Sequence, residues 1–398
     1  MGKTIVKEEE EIELTHVDGD LEIQDGATIV VPKSAERLTV DGRLLSRGDI
    51  IIKGSVSAEE IRHSNGFLEI EGDVKAQEVK VHSKGVRNGS VLEIIGSLEC
   101  NEAEIEGALE VEKDLSCDDL EINGSCVVHG VARVGEYEIN GSAKHGMDLS
   151  ADDLEVNGSL KAQANVTVKT EFQLSGSAKI EGILEAPEVD IGGSLSCYEL
   201  ISNSVEIGGA AKIETSKIEK ELNVGGAFKC TGNIVAPTVS CNGACGFGDE
   251  SAIQNLEING STKVGTNFKF DTIKVNGAFT MGDNAAGNEL TINGSCGAEG
   301  NLKLEGDLQI NGSLSASTLE ANEIKIEGSM TADEAIAKFV YVGENSRVRG
   351  ILRADNVEVD DGGRVDHIIA DKVKLGEDTR IGKLEANDID ADPSARYK

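Results

Sequence analysis

Leu154-Glu155-Val156-Asn157-Gly158-Ser159-Leu160-Lys161-Ala162 recurs along this chain with small changes, for instance as Leu308-Gln309-Ile310-Asn311-Gly312-Ser313-Leu314-Ser315-Ala316. Its glycine sets the phase. Gly124, Gly141, Gly158, Gly176, Gly193, Gly209, Gly226, Gly243, Gly260, Gly277, Gly294, Gly312 and Gly328 follow one another at spacings of 16 to 18, most of them 17. Self-similarity at a fixed period marks a repeat architecture, in which one stretch of sequence is one structural unit stacked on the next.

Within the phrase, apolar residues alternate on both sides of the glycine. Leu120 and Ile122, Leu154 and Val156, or Leu256 and Ile258 precede it, and Leu160 and Ala162, Phe228 and Cys230, or Phe279 and Met281 follow it. Period two is a strand signal, and here it stays in phase through the glycine. The glycine is therefore a corner between two short strands sharing one inward face. A third apolar pair follows eight and ten places on, as in Val166 and Val168, Ile234 and Ala236, or Phe268 and Phe270. Three strands and three bends in about 17 residues predict an all-β fold, a single-stranded parallel β-helix (β-solenoid) with about 17 residues per triangular turn. About 20 turns between Leu38 and Ile389 would make a rod on the order of 100 Å long.

Asn precedes the glycine at Asn123, Asn140, Asn157, Asn242, Asn259, Asn276, Asn293 and Asn311. Both residue types tolerate positive φ, which sharp corners are expected to need. Asn-Gly is also the strongest hairpin signal. A string of hairpins is the rival reading, although no mirrored strand pair follows the dipeptide. Asn-Gly-Ser matches a glycosylation sequon too, but a repeated corner explains it without sugar.

With 398 residues but no Trp, 3% aromatic and 39% hydrophobic residues, the chain suits a thin solenoid core better than a large globular one. We divide it into an N-terminal tail and cap (1–37), a regular array (38–342) and divergent C-terminal turns with a tail (343–398). Ordinary capping or an interaction end would each account for the divergent ends. A formal net charge of −34 disfavours nucleic acid and docking on an anionic membrane. No stretch has the length of a transmembrane span, and the first residues show no secretory h-region or myristoylation signal, so the expectation is a cytoplasmic protein with at most indirect membrane contact.

The sequence offers no catalytic residue, cofactor site or metal ligand. The six histidines, His16, His63, His82, His129, His145 and His367, have no repeated spacing, and no phosphate-binding loop or nucleophile elbow occurs. Of eight cysteines, Cys126, Cys197, Cys230, Cys245 and Cys296 fall on inward positions, where a free thiol is a small apolar filler. Cys100 and Cys117 lie one repeat apart, in position to stack. The register from about Val86 to Leu120 stays open, since either Gly107 or Lys113 serves as the corner.

Equivalent residues in successive turns form columns. One is acidic, with Glu121, Glu138 and Glu155 at its start, and another is rich in lysine, with Lys144, Lys161 and Lys179 at its start. Stacked like charges repel. Each column is either a solvated face that discourages aggregation or one half of a lateral contact between chains. Ser or Ala follows every corner glycine, from tight corner packing or as a flat ridge for another chain.

The two phrases quoted first, with Val348-Arg349-Gly350-Ile351-Leu352-Arg353-Ala354 near the end, resemble the bactofilins, the polymer-forming cytoskeletal proteins. The resemblance is to a repeat style and covers most of the chain. It implies a right-handed triangular β-helix that joins end to end into filaments without nucleotide, and a scaffold role. This array is longer than the usual bactofilin core and lacks the short apolar N-terminal tail linked to membrane attachment. Self-association, end to end and with lateral contacts as a further option, is therefore the expected partnership. A monomeric or surface-displayed binding module is the alternative.

Overall fold

The computed structural model describes residues 2–83 and 89–398. Every strand pair it contains among those residues is parallel, and no helix occurs. The chain is an all-β parallel β-solenoid of about 23 turns with about 17 residues in each. It divides into two compact units, Met1–Ser202 and Asn203–Lys398.

One coil of the first unit shows how the sequence becomes a core. After Gly107, the inward residues come as three pairs: Leu109 and Val111, Leu115 and Cys117, Leu120 and Ile122, all at most 4% exposed. Leu115 and Cys117 lie eight and ten places after the glycine, where the sequence spacing predicts a third apolar pair. Equivalent core positions stack coil on coil, across register shifts such as those at Val40/Arg43 and Lys217/Glu221. Leu44, Ile61, Val79, Ala103, Leu120, Tyr137, Leu154, Phe172 and Val189 form one buried column in the first unit. Leu222, Val239, Leu256, Ile273, Leu290, Leu308, Ile324, Val340, Val357 and Val373 do the same in the second. Parallel pairing throughout removes the hairpin alternative.

Strands begin at Lys3, within the stretch expected as tail and cap: Lys3–Val6 pairs with Asp20–Ile23, and Glu11–Glu13 with Thr28–Val30. At the other end, Arg347–Val359, Arg364–Leu375 and Arg380–Ala391 remain paired in parallel, with one register shift between Val348 and Ile351, although the corner phrase has faded.

The corner glycines are required for a reason other than the expected one. None of the thirteen, nor any Asn before them, has positive φ. At the twelve other than Gly209, a Cβ would lie only 1.9 to 2.1 Å from the carbonyl oxygen of the corner glycine one coil below. The constraint is close approach between coils, not a left-handed backbone. At eleven of the thirteen corners one carbonyl accepts two N–H groups; Ile122 O, for example, accepts from Asn140 N and Gly141 N, both at 2.8 Å. The Asn residues have a second task. Their amides form ladders, with Asn140 Nδ2 donating to Asn123 Oδ1 at 3.1 Å in the first unit, and Asn259 to Asn242 at 2.8 Å and Asn276 to Asn259 at 2.7 Å in the second.

The same geometry settles the open register over its described part. The Cβ built at Gly124 meets Gly107 O, and Ser125 N donates to that oxygen at 2.8 Å, as Ser142 N does to Gly124 O at 2.9 Å. Gly107 is the corner. Lys113 sits at the next bend, where Gly130 N donates to its carbonyl at 3.1 Å. Residues 86–88 of that stretch lie outside the described residues.

Left-handed backbone occurs seven residues after the corner, at Glu250 (φ 58°), Asn267 (φ 57°) and Asn284 (φ 58°). Asn tolerates this conformation through its short polar side chain, and Glu does not. Glu250→Asn is expected to stabilise the second unit by about 1 kcal/mol, read as a raised urea midpoint. An unchanged midpoint would show that the Glu250 backbone carries no penalty.

Candidate functional site

The charged columns are physically real stacks. Glu121, Glu138 and Glu155 are direct register partners, as are Lys144, Lys161 and Lys179 on a different strand of the coil. The acids are compensated by amides rather than lysines. Asn123, Asn140 and Asn157 donate Nδ2 to Glu121, Glu138 and Glu155 at 2.7, 2.7 and 2.8 Å. A second acidic column, Asp119, Glu136 and Asp153, runs two residues away, and the two flank a groove of about 450 Å³. Lys179 pairs with Glu181 at 3.2 Å. Among the described residues Lys144 and Lys161 have no carboxylate within ion-pair distance, so both columns keep charge available to a partner.

Titratable groups in the core are held neutral. Tyr137 and His145 meet inside the first unit, with the phenol oxygen 3.0 Å from Nε2 and the rings edge-on at 88°. Burial drives the His145 pKa down to about 4. It also pushes Tyr137 well above the ordinary phenol value and Cys126 up to about 12. His145 Nδ1 is buried without a hydrogen-bond partner. Cys100 and Cys117 do stack, with sulfurs 3.1 Å apart, and the hydrogen bond to Cys117 and burial together raise the Cys100 thiol. A thiol kept protonated is a poor nucleophile and redox responder.

No family model matches the chain, and no curated protein or solved structure matches it either. The fold and the chemistry of its surfaces therefore carry any functional reading.

Three features escaped the sequence reading. Cys245 is not a free filler but is disulfide-bonded to Cys241. The two lie on either side of the Gly243 corner, which aims both side chains at the same point of the core. The signal was there, as one cysteine two places before and one two places after a single corner. Next, Glu110, Glu112 and His129 converge on the surface of the first unit, as do His16, Asp18 and Asp41. A separation of 17 between Glu112 and His129 is one coil, and stacking rather than repeated histidine spacing would have found it. Finally, Glu93 stacks between Glu69 and Glu110, and burial, then Glu110, Glu69 and Glu112, raise its carboxyl above the usual range.

Proposed function

We propose that this chain is a non-enzymatic scaffold that self-assembles, of the kind suggested by its likeness to the bactofilins. One observation supports it above the others. The buried column of the second unit runs through Val340, Val357 and Val373 to Ile389, which is 40% exposed. The C-terminal residues partly cover this last coil, since Ile381 N donates to Arg396 O and Leu384 N to Lys398 O, both at 2.8 Å. From Ala386 to Ala391 the strand has a neighbour on one side only among the described residues. An apolar core residue beside an unpaired strand edge is a template for another strand. The lysine column, with Lys144 and Lys161 free of carboxylates among the described residues, and the acidic column offer a second, salt-sensitive contact between chains.

Negative-stain microscopy of the purified chain without nucleotide is expected to show filaments, and Ile389→Asp to leave only dispersed particles. High salt is expected to separate bundled filaments without dissolving them. Dispersed wild-type particles at every concentration would refute self-assembly.

The disulfide favours a second reading, since such bonds persist in oxidising compartments. In that case the chain is a surface-displayed binding module. Free-thiol counting on protein taken from its native host, alkylated at lysis, separates the two settings: a reduced Cys241–Cys245 pair supports the internal scaffold, an oxidised one the displayed module.

A further inference from the structure

His129 stands over two glutamates because of the register. Glu110 pairs with Val127 and Val111 with Val128, so Glu112 lies beside His129 of the next coil. Alternation turns Leu109 and Val111 into the core and leaves both glutamates outward on one face. His129 Nε2 is 3.1 Å from Glu110 Oε1 and 3.6 Å from Glu112 Oε1. The three donor atoms all lie within 4.8 Å of one another.

A single imidazole proton can bridge to only one of these carboxylates at a time. A cation at the centre would serve all three groups. Four-coordinate zinc with ligands near 2.05 Å has ligand-to-ligand edges of about 3.3 Å, and the two observed N···O distances fall on either side of that length. One imidazole and two carboxylates suit a borderline divalent ion and leave a position for water. Calcium and magnesium, which prefer all-oxygen shells, are poorly matched by the imidazole.

Charge points the same way. Glu93 stacks on Glu110, and Glu69 on Glu93, so four carboxylates crowd one face. Among the described residues no lysine or arginine pairs with Glu69, Glu93, Glu110 or Glu112. Like charges one strand apart destabilise a sheet unless something neutralises them.

We infer that Glu110, Glu112 and His129 bind a divalent transition-metal ion of the zinc type, which clips two successive coils together. His16, Asp18 and Asp41 form a group of the same composition, with His16 Nε2 2.8 and 3.4 Å from the two carboxylates, but the Asp18 side chain is 93% exposed. Water competes more strongly there, so that group is the internal comparison.

The test is titration of the full chain with Co²⁺, followed by visible absorption, and with Zn²⁺ by calorimetry, using wild type, H129Q, E112Q and H16Q. Far-UV circular dichroism checks that each variant is folded, and either first-site variant carries the test if the other is not. Wild type is expected to bind with a tetrahedral Co²⁺ band. H129Q and E112Q are each expected to lose at least about tenfold in affinity for that event, while H16Q leaves it unchanged. Zn²⁺ is expected to raise the unfolding temperature of wild type but not of H129Q. Failure of wild type to bind below millimolar metal, or equal affinity in wild type and both first-site variants, overturns the site.

Discussion

Gly294→Ala is expected to destabilise the second unit by about 3 kcal/mol or more, whereas Gly297→Ala, three residues along the same coil, is expected to be neutral or stabilising by up to about 1 kcal/mol. Both substitutions restrict the unfolded chain equally, so their difference reports the native state alone. A Cβ at Gly294 would lie 2.1 Å from Gly277 O and 2.5 Å from Asn276 O, while one at Gly297 meets nothing within 4 Å. The clash is with backbone, which cannot swing aside like a flexible side chain. It is also backbone already fixed between coils, since Gly294 N donates to Val275 O and Ser295 N to Gly277 O, both at 3.0 Å. Relief would require parting two coils at a corner and weakening those bonds. Urea unfolding gives the magnitude. Because each coil of a solenoid contacts mainly its neighbours, amide exchange should show the loss concentrated on the coils around Gly277 and Gly294. Equal midpoints for the two variants would mean that the glycine is not held by coil spacing.

That glycine also shows what a sequence can and cannot tell. Its period, the inward pairs such as Leu154 and Val156, and the stacking of position on position after 17 residues are local patterns repeated many times, and repetition makes them readable from one chain. The reason for the glycine is not local. It arises from a carbonyl one coil away, and the residue type alone suggests the more familiar explanation of positive φ. In fact the left-handed residues of these coils sit at the next bend, at Asn267 and Asn284, two places after Gly265 and Gly282, which recur with the period but have no positive φ of their own.

The same distinction separates the surfaces. The columns of Glu121, Glu138 and Glu155 and of Lys144, Lys161 and Lys179 were legible because each repeats at one offset. His129 with Glu110 and Glu112, and Cys241 with Cys245, occur once. They become visible only when single residues are placed on the coil and their neighbours across one turn or one corner are read off. The amide that shields each acid, such as Asn140 beside Glu138, was in the sequence as Glu-x-Asn, but its significance depends on knowing that both side chains face outward where the strand runs into the corner.

Acid is expected to weaken the first unit through His145, and the sign follows from its environment. The imidazole is 1% exposed and stacks between Val128 and Ala162. The other polar groups that reach it are neutral, the Tyr137 phenol at 3.0 Å and, beyond it, the Cys126 thiol. Its pKa lies near 4 in the fold against 6.5 for the free side chain. Below pH 6.5 the unfolded chain takes up a proton that the folded chain refuses, so stability falls as pH drops from 6.5 towards 4 and this contribution levels off below that. The gap between the two values corresponds to about 3 kcal/mol. His63, also buried and lowered in pKa by burial, acts in the same direction. His145→Leu is therefore expected to flatten the pH dependence of unfolding without abolishing it. At pH 7 the substitution costs about 1 kcal/mol by removing the Tyr137 partner, and adding Tyr137→Phe should recover part of that while leaving the flatter profile in place. Urea midpoints for wild type and both variants at intervals from pH 7 to pH 4 decide the matter. Curves that stay parallel over that range would show that His145 takes up its proton inside the fold, which a buried site with an unpartnered Nδ1 and only the neutral Tyr137 phenol at Nε2 gives it no means to do.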